Sequence, residues 1–480
     1  MSHPDPGSSQ PPRLSAADHA SRALGVVTLD QTPFLFRMRR TRNWFFLGLL
    51  YAAYYLCRYN LSTVTPEIAQ EFGLSNAHTG WLSTGRDFGY AIGTFLNGLF
   101  ADALGGKQAM AIGAIGTVVL NLAFGAFAGW FSAWDVAFLI TGFIVIRTID
   151  GYAQSFGSPG MVKINTAWFR RRERGRFAGI FGGMIQLGVV GVNQLSVILL
   201  TGALTIGGVV LFNVGKQDWR IMFVVPPMIL AVITLLMWLN VKNHPEQTGW
   251  RVQHEDEVGK ADVSETKLPL GQVFRAIASN PLVWVNAGAY MCTGFVRRAY
   301  DFWWAKYMFD AWSVGKGSWE FVVLGFTLPI AGFLGSFSTG VISDNFCKSR
   351  RSPVATGLYF VETLVILAAV LVLGHSPWGS PMMAVIFLTL ISLTVNSSHS
   401  IIGTAVAMDI GGRQMAGFAL GVINSFQYVG AIAAGFLLGV LIDWFKWDAL
   451  FLSMLPFSIL GTVLMLATWI ATRGKNVRGA

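Results

Sequence analysis

Charged residues are scarce in this chain. Asp, Glu, Lys and Arg make up 12% of its 480 residues, whereas 53% are hydrophobic and 54 are glycine. Soluble globular domains carry about twice as much charge, so this balance excludes an ordinary soluble enzyme and favours a polytopic membrane protein. The formal net charge of +10 does not indicate nucleic-acid binding, because the cations cluster in alternate loops between apolar segments.

Cysteine is also rare, and recognisable catalytic or metal motifs are lacking. The three cysteines, Cys57, Cys292 and Cys347, have no pairing or metal-ligand spacing. The seven histidines and the acids show no triad spacing, and no phosphate-cradling Gly-x-x-x-x-Gly-Lys-Ser/Thr loop occurs. We therefore expect no metal, no cofactor, no ATP-driven step and no enzymatic activity.

Long apolar runs dominate what is present. The first 43 residues are polar and lack the pattern of a cleaved signal, and twelve runs of about 20 apolar residues follow, each long enough to span a bilayer. Counted from an interior amino terminus, the inner segments hold 24 of the 35 Lys and Arg. The positive-inside rule then predicts a multi-pass membrane protein with both termini cytoplasmic. The short basic amino terminus, which lacks a targeting signal, fits a bacterial inner membrane. The predicted spans are 44–65, 80–101, 107–128, 135–160, 177–202, 220–241, 281–304, 320–342, 353–374, 381–404, 415–440 and 447–471.

The chain repeats itself after about 240 residues. A segment containing Gly98, Asp102, Gly105 and Lys107 follows the second span, and an echo containing Asp344 follows the eighth. The glycines permit tight turns and the acids can pair or cap near helix ends, so we interpret both copies as gating elements. The repeat predicts an all-α polytopic membrane protein with 12 transmembrane helices in two six-helix, pseudo-symmetric halves. The predicted divisions are a cytoplasmic segment 1–43, an N-terminal half 44–241, a cytoplasmic linker 242–280, a C-terminal half 281–471 and a cytoplasmic tail 472–480.

Two arginines, Arg58 and Arg297, lie inside otherwise apolar spans at matching places in the two halves. Arg58 precedes Asp102 by 44 residues and Arg297 precedes Asp344 by 47, so the arginines are repeat mates. A guanidinium in hydrocarbon costs from about 3 to more than 10 kcal/mol, and such residues face a bundle interior or a watery cavity. Two facing guanidiniums offer bidentate, charge-assisted hydrogen bonds to a phosphate. The pair predicts an anion site at mid-membrane.

Motifs in the first and fourth spans point to a particular family. Residues 54–60 read Tyr-Tyr-Leu-Cys-Arg-Tyr-Asn, residues 154–159 read Gln-Ser-Phe-Gly-Ser-Pro, and residues 168–175 read Trp-Phe-Arg-Arg-Arg-Glu-Arg-Gly. These motifs, together with the Gly-rich loop after the second span, resemble the organophosphate:phosphate antiporter family of the major facilitator superfamily. That family includes glycerol-3-phosphate and hexose-phosphate exchangers. The resemblance runs through most of the chain.

The resemblance implies which residues bind substrate. It makes Arg58 and Arg297 the two phosphate-binding arginines, and it implies an organic phosphate and inorganic phosphate as ligands. The two repeats within one chain make a monomer in the lipid bilayer sufficient, and no nucleic-acid partner is expected. Two departures concern the substrate: Tyr59 stands where the family often has Lys, and Ile185, with Gln186 beside it, stands where glycerol-3-phosphate carriers have a histidine.

Other polar side chains are candidates for the cavity wall. Each can contact substrate or simply join helices, and Lys163 can meet anions or snorkel to the interface. Asn396 and Gln427 share this ambiguity. The candidates are Tyr55, Tyr59, Tyr90, Gln154, Lys163, Gln186, His399 and Asn424.

Further charges occur inside the spans. Arg147 and Asp150 are three residues apart and are expected to pair. Arg86 and Asp87 are adjacent and need partners elsewhere, such as Asp150 for Arg86 or Arg58 for Asp87. Arg298 points away from Arg297 on a helix and is expected to pair with Asp301, three residues on.

Three functions remain open. The first is a secondary carrier that exchanges an organic phosphate ester for inorganic phosphate by alternating access. The second is a membrane sensor of external sugar phosphate, since the resembled family includes receptor-like members. The third is a proton-coupled transporter of organic anions, with Asp87, Asp150 or Asp301 as the proton carrier.

Overall fold

The computed structural model describes residues 25–27, 32–206, 209–252, 278–346, 351–375 and 377–472. Some side chains in 95–102 and 171–179, and all those in 204–213, 340–351 and 404–421, are outside the description. Three predicted gating residues, Gly98, Asp102 and Asp344, fall there.

Helices form nearly all of the described chain. The α-helices are α1 (Phe34–Phe72), α2 (Asn76–Leu104), α3 (Gly106–Trp130), α4 (Val136–Gln154), α5 (Gly157–Trp168), α6 (Arg171–Thr201), α7 (Val225–Asn240), α8 (Pro281–Trp312), α9 (Trp319–Phe346), α10 (Arg351–His375), α11 (Pro381–Ser400), α12 (Ala407–Phe445) and α13 (Asp448–Thr472). Short 3₁₀ helices cover Trp219–Phe223 and Pro245–Thr248, and a π-helical segment covers Ile401–Val406.

These helices confirm the twelve predicted spans. The fourth span consists of two helices, because α4 ends at Gln154 and α5 begins at Gly157. Pro159 then lies in the first turn of α5, where its missing N–H does no harm. The sixth span joins the 3₁₀ helix Trp219–Phe223 to α7, and the tenth continues from α11 into the π-helical segment. Each of the other spans corresponds to one long helix.

Nine spans in the described residues are long and apolar enough to cross a membrane by length and composition alone. The three helices that fall short of this test are α1, α2 and α8. They carry Arg58, the adjacent Arg86 and Asp87, and the adjacent Arg297 and Arg298, respectively. Their lower hydropathy therefore has a local cause: these helices line the polar interior between the two halves.

The contacts between the halves follow a pseudo-twofold pattern. Helix α2 packs on α12, α6 packs on α9, and α1 packs on α8. Counted as spans, these pairs are second with eleventh, fifth with eighth, and first with seventh. When the two halves are exchanged, the first two pairs map onto each other and the third maps onto itself. This is the arrangement expected of parallel repeats around a central site.

Two small sheets were not predicted. Strands β2 (Ala203–Ile206) and β3 (Val209–Asn213) form an antiparallel pair after α6, where β-branched residues flank a Gly-Gly pair in the sequence, a hairpin signal. Strands β1 (Gly25–Val27) and β4 (Trp250–Val252) pair in parallel. The second pair joins the segments before α1 and after α7, which no local pattern foretells.

Candidate functional site

The cavity between the two halves

A cavity of about 320 Å³ lies between the halves and contains both repeat-mate arginines in its wall. Arg58 is 14 residues before the end of α1 and Arg297 is 15 before the end of α8, so each lies roughly 21–23 Å from that end at about 1.5 Å per residue. The structure thus brings Arg58 and Arg297 to one depth, around one polar space. The residues lining it are Tyr51, Tyr55, Arg58, Tyr59, Arg86, Tyr90, Ser158, Gly182, Ile185, Gln186, Gly294, Arg297, Arg298, Asp301, Ser336, Asn396, His399, Gln427, Tyr428 and Ala431.

Arg58 is held between aromatic rings. Its guanidinium carbon lies 4.7 Å from the centroid of Tyr55 and 4.6 Å from that of Tyr90, within the range of cation–π attraction. Its Nε donates a 3.0 Å hydrogen bond to Gln154 Oε1. With Nε engaged and the rings limiting its motion, the guanidinium is oriented before any anion arrives.

Gln154 is the connection between Arg58 and the buried charges of α4. Its Nε2 donates to both carboxylate oxygens of Asp150, at 3.0 and 3.1 Å. Asp150 also accepts a 3.1 Å hydrogen bond from Arg147, which confirms the predicted pair. Because Asp150 holds the amide nitrogen, Gln154 must present its oxygen to Arg58. Gln154 therefore orients Arg58 from behind and does not line the cavity.

Arg297 rests on a histidine. Its Nη1 lies 3.0 Å from His399 Nε2, and His399 Nδ1 lies 2.8 Å from the hydroxyl of Tyr290. Since arginine can only donate, Nε2 must be the unprotonated acceptor and Nδ1 must carry the hydrogen. A neutral His399 thus fixes Arg297 from the C-terminal half, much as Gln154 fixes Arg58 from the N-terminal half.

Close helix packing places these side chains. In α8, a Cβ on Gly294 would lie 2.0 Å from the backbone oxygen of Gln427 in α12, so only glycine allows this approach one turn before Arg297. In α4, a Cβ on Gly151 would lie 2.0 Å from the backbone oxygen of Arg86 in α2. These two contacts bring the arginine-bearing helices against their neighbours at the level of the cavity.

Arg298 pairs across the halves, and the predicted Arg298–Asp301 pair is wrong. Arg298 Nη2 donates a 2.7 Å hydrogen bond to Asp87 Oδ1, and Arg86 Nη2 lies 2.5 Å from the same oxygen. The contact between the adjacent Arg86 and Asp87 is also a correction, because the long arginine side chain folds back where helix-face geometry alone predicts separation. Asp87 is fully buried and lies between the two guanidiniums.

Asp301 faces the cavity instead. Its Oδ2 accepts a 2.6 Å hydrogen bond from the hydroxyl of Tyr59, which belongs to the other half. The hydroxyl of Tyr59 thus makes this contact at the position where the resembled family often has a lysine. Tyr55 stacks on Tyr59 with ring centroids 5.7 Å apart, so Tyr59 is held by stacking on its ring and by the hydrogen bond of its hydroxyl.

Further contacts join the halves on the side that the charge pattern predicts to be outer. Lys316, in the loop after α8, forms an ion pair with Glu67 of α1. Asp443 of α12 accepts hydrogen bonds of 2.9 Å from the backbone N–H groups of Asn76 and Ala77, at the start of α2. These contacts hold α1 and α2 against the C-terminal half on that side.

The remaining candidates occupy different places. Gln186 and Ile185 line the cavity, whereas Lys163, on α5, and Asn424, on α12, are half-buried and are not among its lining residues. Gly105 has a φ of 90° between α2 and α3, a conformation that favours glycine. The backbone N–H of Lys107 donates to Asn243 Oδ1 at 2.7 Å, which joins this turn to the linker.

Sequence reasoning missed several members of the wall. Tyr428 lies 5.3 Å from Tyr90, centroid to centroid, across the halves, and Tyr51 and Ser336 also line the cavity. Helical spacing carried a signal for Tyr428, which follows Asn424 by four residues. It also carried one for Tyr290, the support of His399, which precedes Arg297 by seven residues and so shares its helix face.

The fixed charges of the cavity suit an anion. Arg58 and Arg297 have no carboxylate partner among the described ion pairs, and Arg86 with Arg298 shares one carboxylate, that of Asp87. Asp301 subtracts one charge. The balance is two positive charges, which matches the nearly two negative charges of a phosphate monoester at neutral pH. Guanidiniums already held in place can bind such an anion without being reordered.

Comparison with known proteins

The family model of the Major Facilitator Superfamily matches residues 47–435. A glycerol-3-phosphate transporter of Bacillus subtilis is 27% identical over 456 residues, which cover 92% of this chain and 96% of that protein. The membrane sensor protein UhpC of Escherichia coli is 25% identical and covers 84% of this chain and 86% of its own length. A bacterial homologue of the human lysosomal transporter Spinster, solved in an inward-facing, unoccupied conformation, superposes with a TM-score of 0.68 at 15% identity, covering 91% of this chain and 97% of its own. That last likeness concerns the fold alone.

Proposed function

Since this chain belongs to the major facilitator superfamily, we propose that it is a secondary carrier which exchanges an organic phosphate ester for inorganic phosphate by alternating access. The observation that carries this proposal is the pair Arg58 and Arg297, one from each half, in the wall of one cavity. The substrates are a sugar phosphate or a glycerol phosphate on one side and inorganic phosphate on the other. The relative that transports glycerol 3-phosphate supports the same class of ligand.

One arginine from each half explains why exchange is favoured over net transport. A bound dianion attracts both guanidiniums and lowers the cost of bringing the halves together around it. When the cavity is empty, two like charges face one another and the occluded state is less favourable. The empty carrier therefore crosses slowly, and each outward passage of one anion is followed by the inward passage of another.

The carrier is proposed to act as a monomer in the bacterial inner membrane, with both termini in the cytoplasm. The distribution of Lys and Arg along the chain supports this orientation, and the two repeats within one chain supply the whole site. The contacts of Lys316 with Glu67 and of Asp443 with α2 then lie on the outer side.

The test is exchange in proteoliposomes loaded with labelled inorganic phosphate. We expect glycerol 3-phosphate or a hexose phosphate in the external medium to release the label, and glycerol or glucose at equal concentration to release none. Release by the unphosphorylated compounds, or release without any external anion at the same rate, would contradict phosphate-linked exchange.

A sensor is the second candidate, because a membrane sensor protein is among the relatives. A sensor would bind the same phosphate esters at Arg58 and Arg297 but would not exchange them. Binding detected by a ligand-dependent rise in thermal stability, together with absent phosphate efflux in the same preparation, would favour the sensor. A proton-coupled carrier is a third hypothesis. Asp87 and Asp150 are less suited to carry its proton, because each forms an ion pair with an arginine.

A further inference from the structure

One acid stands in the wall of an otherwise cationic cavity. Asp301 lines the central space and also the adjoining recess, whose wall includes Tyr59, Gln186, Arg297 and Asn396. Its neighbour Arg298 is engaged by Asp87 on the other half. Among the described residues, the hydrogen bond to Asp301 comes from the neutral hydroxyl of Tyr59, so no cation in direct contact compensates this carboxylate.

The position of Asp301 sets its relation to a bound phosphate. It follows Arg297 by four residues on α8, so it stands one turn away on the same helix face. Arg297 and Asp301 border the same space, so the organic group of a phosphate held by Arg297 shares that space with the carboxylate. Whatever the group carries is therefore exposed to a negative charge at close range.

The groups around Asp301 suit hydroxyls. The carboxylate is an acceptor with lone pairs left after its bond to Tyr59. Gln186 and Asn396 offer neutral amides, and Asn396 Nδ2 is engaged with the hydroxyl of Tyr300 at 2.8 Å, which leaves its oxygen as a further acceptor. A sugar or glycerol group would donate to these acceptors, whereas a carboxylate or a second phosphate can donate nothing when ionised.

Repulsion adds to this mismatch. Two like charges about 5 Å apart repel strongly enough, at the effective dielectric of a protein cavity, to lower binding on the order of 100-fold. In addition, the cavity has two net positive charges, and the phosphate dianion already balances them. A second anionic group would remain without compensation.

Resting on the proposed exchange of phosphate esters, we propose that Asp301 selects substrates whose organic group is an uncharged polyol and rejects esters that carry a second anionic group. The preferred class is a glycerol or sugar monophosphate. Carboxylated phosphates, such as phosphoglycerates, and bisphosphates are excluded by charge and not by size.

Two substrates of nearly equal size make the test sharp. Glycerol 3-phosphate and 3-phosphoglycerate have the same three-carbon frame, and a carboxylate in the second replaces a hydroxymethyl group in the first. We expect the wild-type protein to exchange glycerol 3-phosphate at least tenfold better, judged by kcat/KM in liposomes loaded with labelled phosphate. Asp301→Asn keeps the shape and an oxygen acceptor for Tyr59 but removes the charge. It should lower this preference at least tenfold.

The design separates the possible failures. The ratio is taken within each variant, so the amount of active protein cancels. Asp448→Asn is the matched control, because it makes the same change at an exposed position outside the cavity and should retain the wild-type preference. If no phosphate ester exchanges in the wild type, the proposed function fails. If esters exchange but the wild type accepts 3-phosphoglycerate equally well, or the ratio is the same in Asp301→Asn, the role of Asp301 is overturned. If Asp301→Asn does not fold, Asp301→Ser and the wild-type ratio decide.

Discussion

Arg298 in the C-terminal half donates a 2.7 Å hydrogen bond to Asp87 in the N-terminal half, 211 residues away in the chain. The carboxylate is fully buried and also contacts Arg86. The ion pair therefore joins the two halves at the wall of the cavity, and it can persist only in conformations that keep α2 and α8 together. Alternation between inward and outward access therefore either moves α2 and α8 together or breaks this ion pair.

Replacing the shared carboxylate tests this connection. Asp87→Asn would leave two guanidiniums facing one another in a buried place, and breaking a buried pair costs about 3–5 kcal/mol. We expect a large fall in thermal stability in detergent and at least a tenfold fall in exchange. Glu246→Gln, the same chemical change at an exposed position, should alter stability by less than about 0.5 kcal/mol. Equal behaviour of the two variants would show that the Asp87 contact is dispensable.

The phosphate site predicts strong effects from conservative changes. Arg58→Lys and Arg297→Lys each keep the charge but lose the planar fork and the contacts that orient it. The loss of charge-assisted hydrogen bonds worth about 1.5–3 kcal/mol should reduce phosphate exchange by tenfold to 100-fold in either variant. Arg251→Lys, at an exposed position in β4, is the control and should exchange normally. Normal exchange in Arg58→Lys or Arg297→Lys would remove that arginine from the site.

The support behind Arg297 can be tested separately. His399 accepts from Arg297 through Nε2 and is itself held by Tyr290. His399→Gln can still offer an oxygen to Arg297, whereas His399→Leu cannot, so we expect the KM for phosphate to rise at least tenfold in the leucine variant and much less in the glutamine variant. Initial exchange rates over a range of phosphate concentrations measure this. An unchanged KM in His399→Leu would mean that the histidine has only a packing role.

Local patterns were sufficient to predict the spans and one ion pair. The twelve apolar runs identified the helices because each is long enough to cross a bilayer. The Arg147–Asp150 pair followed from their spacing, since residues three apart share a helix face. Arg58 and Arg297 stand out because they occupy equivalent positions in two repeats. A charged side chain in hydrocarbon is also energetically costly and so indicates a functional role.

Contacts between distant elements were beyond such patterns. Arg298 was assigned to Asp301, its neighbour on the helix, but its partner Asp87 depends on how the halves dock. Gln154 and His399 support the arginines from behind, and Gln154 is not a lining residue of the cavity. Both roles also depend on helix packing at Gly151 and Gly294. The pairing of β1 with β4 has the same origin, because it joins segments more than 200 residues apart.

The ion pair between Lys316 and Glu67 gives the last prediction, on the outer contacts between the halves. Lys316 lies in a loop outside the spans, and burial lowers its pKa below the usual value although Glu67 opposes this shift. The free-energy cost of burying the ammonium is thus larger than the stabilisation that Glu67 provides. Without Glu67 the closed form would have to bury an unpaired charge, so we expect Glu67→Gln to favour opening on this side.

A cysteine probe can report that opening. Thr65 is buried, with 2% of its surface exposed, in the interface near Leu82 and Phe302. In a variant whose three native cysteines are replaced by serine, a cysteine at position 65 should react with a membrane-impermeant maleimide about tenfold faster when Glu67→Gln is added. Combining Glu67→Gln with Lys316→Met removes both charges and should return the rate towards that of the parent, because a neutral pair carries no unpaired buried charge.

The dependence on pH follows from the same linkage. When the halves are open, Lys316 is in water with its ordinary pKa, whereas its pKa is lowered in the closed form and is expected to be lower still without Glu67. The open form therefore binds the proton more tightly, and raising the pH between the two pKa values favours closure. The faster labelling in Glu67→Gln should fade as the pH rises through this range, after correction for the reactivity of a free thiol measured in parallel. Labelling that stays fast at high pH, or that is equally fast in the double variant, would show that the charge of Lys316 does not control the outer contact.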